Sequence, residues 1–101
     1  MSMKTNRFAA AAATARALAE PTRLAILATL SRGERCVCDL SAELGASQPR
    51  LSFHLKILKN AGLLVDRPEG RMTFYALRPE SGPAVQELLE RLAAPRARRT
   101  R

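Results

Sequence analysis

Apolar positions recur with a helical period along most of this chain, and each run ends at a recognisable stop. From about Arg7 to Ala19 the residues favour helix, with Phe8, Ala11, Ala12, Ala15, Leu18 and Ala19 near one face. Glu20-Pro21 breaks that run, and Pro21 suits the first turn of a second helix reaching about Ser31. Leu24, Ile26, Leu27 and Leu30 form its apolar face, and Gly33 ends it. Cys36 and Val37 read as a short extended piece. Asp39 then falls early in a short third helix through Leu40, Ala42 and Leu44, which Gly45 closes. Ser47 is a good N-cap for a fourth helix with Pro49 in its first turn, and Leu51, Leu55 and Leu58 recur at core spacing. Asn60-Ala61-Gly62 stops it. Leu63-Leu64-Val65, the turn residues Pro68-Glu69-Gly70 and the run Met72–Leu77 predict a β-hairpin. A last helix from about Ser81 to Ala93 carries Val85, Leu88, Leu89 and Leu92 on one stripe.

This order predicts a mainly α chain with a small β-hairpin. Two short helices joined by a glycine-containing turn make a helix-turn-helix, and a basic hairpin directly behind it makes the motif winged. Opposite the leucine stripe the fourth helix carries Gln48, Arg50, Ser52, Phe53, Lys56 and Lys59. Gln pairs with adenine edges and Arg with guanine edges in a major groove. The start of such a helix meets the bases, so Gln48, Arg50, Ser52 and Phe53 are expected there, with Ser47 and Pro49 also in the DNA-binding set. Lys56 and Lys59 are expected nearer the phosphates, with Arg67 and Arg71 reaching DNA from the hairpin. A plainer alternative is that these residues form only the solvated face of an amphipathic helix. His54, the one histidine, adjoins the core leucines and is expected to be packed or hydrogen-bonded rather than metal-bound.

Charge sharpens this picture. The 101 residues carry a formal net charge of +8, which favours a polyanionic partner. Arg96, Arg98, Arg99 and Arg101 supply half of that excess, so residues 95–101 read as a basic tail and residues 1–94 as one domain. No apolar run approaches the ~20 residues of a membrane helix, and the alanine-rich stretch near the start does not read as a signal peptide. A cytoplasmic chain without a membrane partner is expected, with Cys36 and Cys38 as thiols.

Three stretches resemble one known family. Ala17 to Leu27 (Ala-Leu-Ala-Glu-Pro-Thr-Arg-Leu-Ala-Ile-Leu) resembles the second-helix signature of ArsR/SmtB metalloregulators. Cys36-Val-Cys-Asp-Leu40 is similar to the arsenic-binding box of that family's arsenical-resistance repressors. Ser47 to Leu58 resembles the family's recognition helix. Together the resemblance covers about residues 8 to 92. It implies a homodimer, joined through the first and last helices, that represses its own resistance operon on double-stranded operator DNA. It also implies release when As(III) or Sb(III) binds Cys36 and Cys38. The two apolar stripes of the first and last helices agree with such a dimer, the plainer alternative being that both are core.

Two departures bear on the ligand. The usual box has a third cysteine three residues after the second, and Ser41 stands there. The family's zinc branch uses histidines on the last helix, which has none here. Tetrahedral zinc wants four ligands, whereas trivalent arsenic or antimony takes three. Cys36 and Cys38 supply two. The third can be a small exogenous thiol, a hydroxide, or the carbon of an organoarsenical such as methylarsenite, since a neutral hydroxyl is a poor replacement. No permanently bound cofactor is expected. Residues two apart on a helix point apart, so chelation is expected to distort the start of the third helix and lower DNA affinity.

Competing readings are weaker. A thiol redox or persulfide switch can use the same cysteines. No phosphate loop and no acid–base constellation support an enzyme. A protein-binding adaptor leaves the basic helix face without a purpose.

Overall fold

The computed structural model describes residues 8–94. The basic tail and the first seven residues, including the expected helix start at Arg7, lie outside them. The elements run α1 (Ala9–Leu18), α2 (Pro21–Leu30), β1 (Arg35–Cys36), α3 (Val37–Leu44), α4 (Gln48–Asn60), β2 (Leu64–Glu69), β3 (Met72–Leu77) and α5 (Gly82–Ala93). Local chemistry explains the boundaries. The Glu20 carboxylate accepts the Arg23 backbone N–H at 2.9 Å and caps α2, with Pro21 just inside. Gly45 closes α3 in the left-handed region (φ 68°), where a Cβ would be strained.

Ile26, Leu27, Leu40, Leu51, Leu55, Leu58 and Leu64 are fully buried, and α2, α3 and α4 meet around them. Each such side chain contributes about 1.5–3 kcal/mol by leaving water. The leucine stripe expected on α4 is therefore the centre of the core. Thr29 lies among these residues without penalty because its hydroxyl donates to the Ala25 carbonyl at 3.0 Å.

Three expectations change. The third helix begins at Val37 and takes in Cys38, so only Arg35 and Cys36 are extended. That two-residue strand pairs with β3, Arg35 opposite Tyr75 and Cys36 opposite Phe74, and makes the hairpin a three-stranded antiparallel sheet ordered β1-β3-β2. The hairpin turn is not Pro68-Glu69-Gly70: β2 continues through Glu69, opposite Met72, leaving Gly70-Arg71 as the loop. Pro68 is tolerated because β2 is an edge strand, where a missing N–H breaks no central ladder.

Among the described residues no helix is long and apolar enough to cross a membrane. The alanine face of α1 stays largely exposed, and that of α5 is exposed only towards its end. Ala11, Ala12 and Ala15 are exposed, and Ala17, which is off the expected stripe, is the buried residue of α1. Val85 is buried in α5, Leu88 and Leu89 are half-buried, and Leu92 is 62% exposed.

Candidate functional site

The turn between α3 and α4 is built from hydroxyls. Ser47 has extended backbone and its Oγ accepts the Arg50 N–H at 3.3 Å, so α4 starts as expected, with Pro49 in its first turn. Ser41 Oγ donates to the Ala46 carbonyl at 2.7 Å, and the Ser41 carbonyl accepts the Gly45 N–H at 2.9 Å. Both polar groups of Ser41 thus hold the turn that sets the angle between the two helices.

On the outer face of α4, Gln48, Arg50, Ser52, Phe53, Lys56 and Lys59 are all exposed, and Ser47 and Pro49 join them at its start. Phe53 is 62% exposed, a large apolar side chain left facing outward. Their surroundings differ. Arg50 donates to Thr22 Oγ1 at 3.1 Å, tying the start of α4 to α2. Lys59 Nζ lies 2.9 Å from Asp66 Oδ2, and that hydrogen bond raises the lysine's pKa. Lys56 has no ion pair among the described residues.

In the hairpin, Arg67 lies over the Phe74 ring with its guanidinium carbon 5.0 Å from the centroid. It donates to both Glu34 oxygens, at 2.8 and 3.1 Å, and to Glu69. These hydrogen bonds, Glu34's first, raise the Arg67 pKa, and the one from Arg67 lowers that of Glu34. Arg71, at the hairpin tip, is exposed and without an ion pair among the described residues. Arg67 is thus held by the segment ahead of the cysteines, and Arg71 is the free cation of the tip.

His54 is buried, as its place among the leucines predicted. Its Nδ1 lies 3.1 Å from Arg23 Nη1. A guanidinium only donates, so Nδ1 accepts and the ring proton belongs on Nε2. Arg23 also donates to the Ala17 carbonyl at 2.7 Å and the Arg16 carbonyl at 3.3 Å, which close the end of α1. One arginine therefore joins α1, α2 and α4. Nothing in the apolar pattern signalled this bridge.

The cysteines differ sharply. Cys36 is 3% exposed and is the N-cap of α3, whereas Cys38, in the first turn, is exposed. Cys36 Sγ accepts the Asp39 N–H at 3.3 Å, while Asp39 Oδ2 accepts the Cys36 N–H at 3.2 Å. This is a capping box with a thiol in place of the usual hydroxyl. The spacing from Cys36 to Asp39 carried that signal, which the sequence reading spent on the dipole alone. Burial pushes the Cys36 thiol pKa up. Gln48 Nε2 donates to Cys38 Sγ at 3.9 Å, a long contact joining a thiol to the helix expected to read bases. Both cysteines open on a cleft of about 330 Å3 between the starts of α3 and α4 and strand β3. Among the described residues no three His, Cys, Asp or Glu side chains converge to hold a metal ion. A cation wanting four protein ligands does not fit.

Fold and site together define a winged helix-turn-helix regulator with a thiol pair beside its recognition helix. The family model for the bacterial regulatory protein, arsR family, matches residues 20–65. The arsenical resistance operon repressor of Escherichia coli K12 is 51% identical over 63 residues, which are 61% of this chain and 54% of that protein. The chain thus spans about half the length of this relative. The structure of HlyU from Vibrio cholerae superposes with a TM-score of 0.77 at 38% identity, covering 92% of this chain and 98% of that one. A homodimeric winged helix-turn-helix DNA-binding domain from Mycobacterium bovis, a possible ArsR-family transcriptional regulator, matches at 27% identity. Its TM-score is 0.85, over all of this chain and 95% of that domain. The chain belongs to the arsR family of bacterial regulatory proteins, which agrees with the resemblance carried by its three motifs and leaves the enzyme reading without support.

Proposed function

We propose that the chain is a DNA-binding transcriptional repressor of an arsenic-resistance operon, released from its operator when trivalent arsenic or antimony binds Cys36 and Cys38. The carrying observation is the position of the two thiols. Cys36 holds the cap of α3 and pairs through its backbone with β3, and Cys38 touches Gln48. The likeness to an arsenical resistance operon repressor supports this reading. Gln48, Arg50, Ser52 and Phe53 would meet the bases of double-stranded DNA, Ser47 and Pro49 would lie against it at the start of α4, and Lys56, Lys59, Arg67 and Arg71 would meet its backbone. Two copies would join through α1 and α5, where the alanine face of α1 and the end of α5 are exposed. The setting is cytoplasmic, no cofactor is permanently bound, and the inducer is inorganic or methylated.

The chemistry needs no redox partner. Each As–OH gives way to an As–S bond, the thiol proton leaves with the hydroxide as water, and arsenic stays trivalent. With metal–sulfur bonds near ~2.3 Å, as for zinc, the two sulfurs must approach within roughly 4 Å. Cys36 Sγ then becomes a poorer acceptor for the Asp39 N–H, and the capping box loosens. Loss of an N-cap costs about 0.5–2 kcal/mol, which overlaps the ~1–3 kcal/mol typical of allosteric coupling. Arsenite titrated into a gel-shift of promoter DNA should release the wild-type chain. Cys36→Ser and Cys38→Ser should bind that DNA as tightly and ignore arsenite. Unchanged affinity of the wild type under arsenite, antimonite and methylarsenite alike would refute the reading.

A further inference from the structure

We propose that the third, non-protein bond of the bound metalloid points into the cleft between α4 and the wing, where its substituent occupies ground that DNA needs. The proposal rests on the reading that Cys36 and Cys38 take the metalloid. It adds a subsite for the substituent, and release by overlap as well as through α3.

The first support is the commitment of Ser41. It stands where the usual box has a third cysteine, yet its hydroxyl donates to the Ala46 carbonyl at 2.7 Å within the helix-connecting turn. Drawing it to a metalloid would break that turn. Asp39 is likewise engaged with the Cys36 N–H. The third position is left to a group that arrives with the inducer.

The second support is the space. The cleft holding both thiols measures about 330 Å3, at the small end of small-molecule sites. Its far wall is β3, with Met72, Thr73 and Tyr75 offering a thioether, a methyl and a ring. Sulfur and aromatic groups of this kind make favourable contacts with an aryl substituent. A carbon-bonded organic group on arsenic(III) fits this wall better than a hydroxide, which leaves it uncovered.

The third support is what else lines the cleft. Gln48 and Ser52 come from the outer face of α4 and Arg71 from the hairpin tip. All three are exposed and all three belong to the surface proposed to meet DNA. A substituent seated here separates the recognition helix from the wing on the side where both would touch one duplex. Inducer and DNA therefore exclude each other, and a larger substituent excludes DNA more strongly.

The test compares methylarsenite with phenylarsenite. Titration of free thiols on the DNA-free protein comes first, and each arsenical should consume both cysteines. With both consumed, phenylarsenite should lower affinity for a promoter duplex at least ten-fold further than methylarsenite does. Thr73→Trp narrows the cleft, and it should weaken phenylarsenite binding to DNA-free protein about ten-fold while sparing methylarsenite. Met72→Ala, a milder change at an exposed position, should reduce the preference for phenyl in the same direction, with circular dichroism reporting that both variants fold. Equal DNA release by the two arsenicals at thiol saturation, with unchanged phenylarsenite binding in both variants, overturns the subsite. Failure of phenylarsenite alone to consume the two thiols also overturns the subsite, whereas failure of both arsenicals overturns the underlying cysteine reading, and the subsite with it.

Discussion

Cys36 carries two roles on one sulfur. It caps α3 by accepting the Asp39 N–H, and it is the buried half of the proposed ligand pair. The roles separate by substitution. Serine is among the best N-caps and alanine among the poorest. Cys36→Ser should keep the stability of α3, while Cys36→Ala should lose about 0.5–2 kcal/mol in urea denaturation, and both should be blind to arsenite. Equal stability of the two variants would show that the sulfur's hydrogen bond contributes nothing. That Cys36 and Cys38 share one cleft was legible in the sequence, because only Val37 separates them. Their inequality was not. That one is buried and the other exposed depends on β1 joining β3, a contact between residues 38 positions apart in the chain that no local period encodes.

At the scale of elements, helices were readable and the wing only partly so. Glycine, proline and hydroxyl caps act within a turn of the residues they punctuate, so the bounds of α2 and α4 followed from local chemistry. The wing depends on partners distant in sequence. Arg67 looked like a free cation for DNA, yet Glu34, 33 positions earlier, holds it with two hydrogen bonds. This pair is exposed and worth little to stability. Its consequence is for binding, because it sets a carboxylate against a cation that DNA would otherwise take. Glu34→Gln should raise DNA affinity and steepen its salt dependence, by a slope of about 0.9 for one added phosphate contact. An unchanged slope would mean that Arg67 serves the wing alone. Acid acts in the same sense. The depressed Glu34 pKa means the pair is intact above the ordinary carboxylate value of 4.5 and is lost as pH falls through the lower folded value.

The whole molecule leaves apolar surface exposed near the end of α5. Leu92 is 62% exposed, and a groove of about 430 Å3 runs between α2 and α5 past Leu24, Leu89 and Leu92. The alanine face of α1 is exposed as well. A second copy is the partner proposed to cover it, and a neighbour of this fold, the Mycobacterium bovis domain, is homodimeric. A second copy would also bring a second α4 to the duplex, and helix-turn-helix dimers read half-sites about one helical turn apart. A charge at Leu92 tests this without touching the core or the DNA face. Leu92→Glu should shift the chain towards monomer in sedimentation velocity while its circular dichroism stays unchanged. Losing the second half-site removes an avidity gain that typically reaches ~10²–10⁴-fold, so binding to promoter DNA should collapse in parallel. The thiols of such a monomer should still take arsenite, because Cys36, Cys38 and the cleft belong to one copy. Retained dimerisation with intact DNA binding would place the partner surface away from α5.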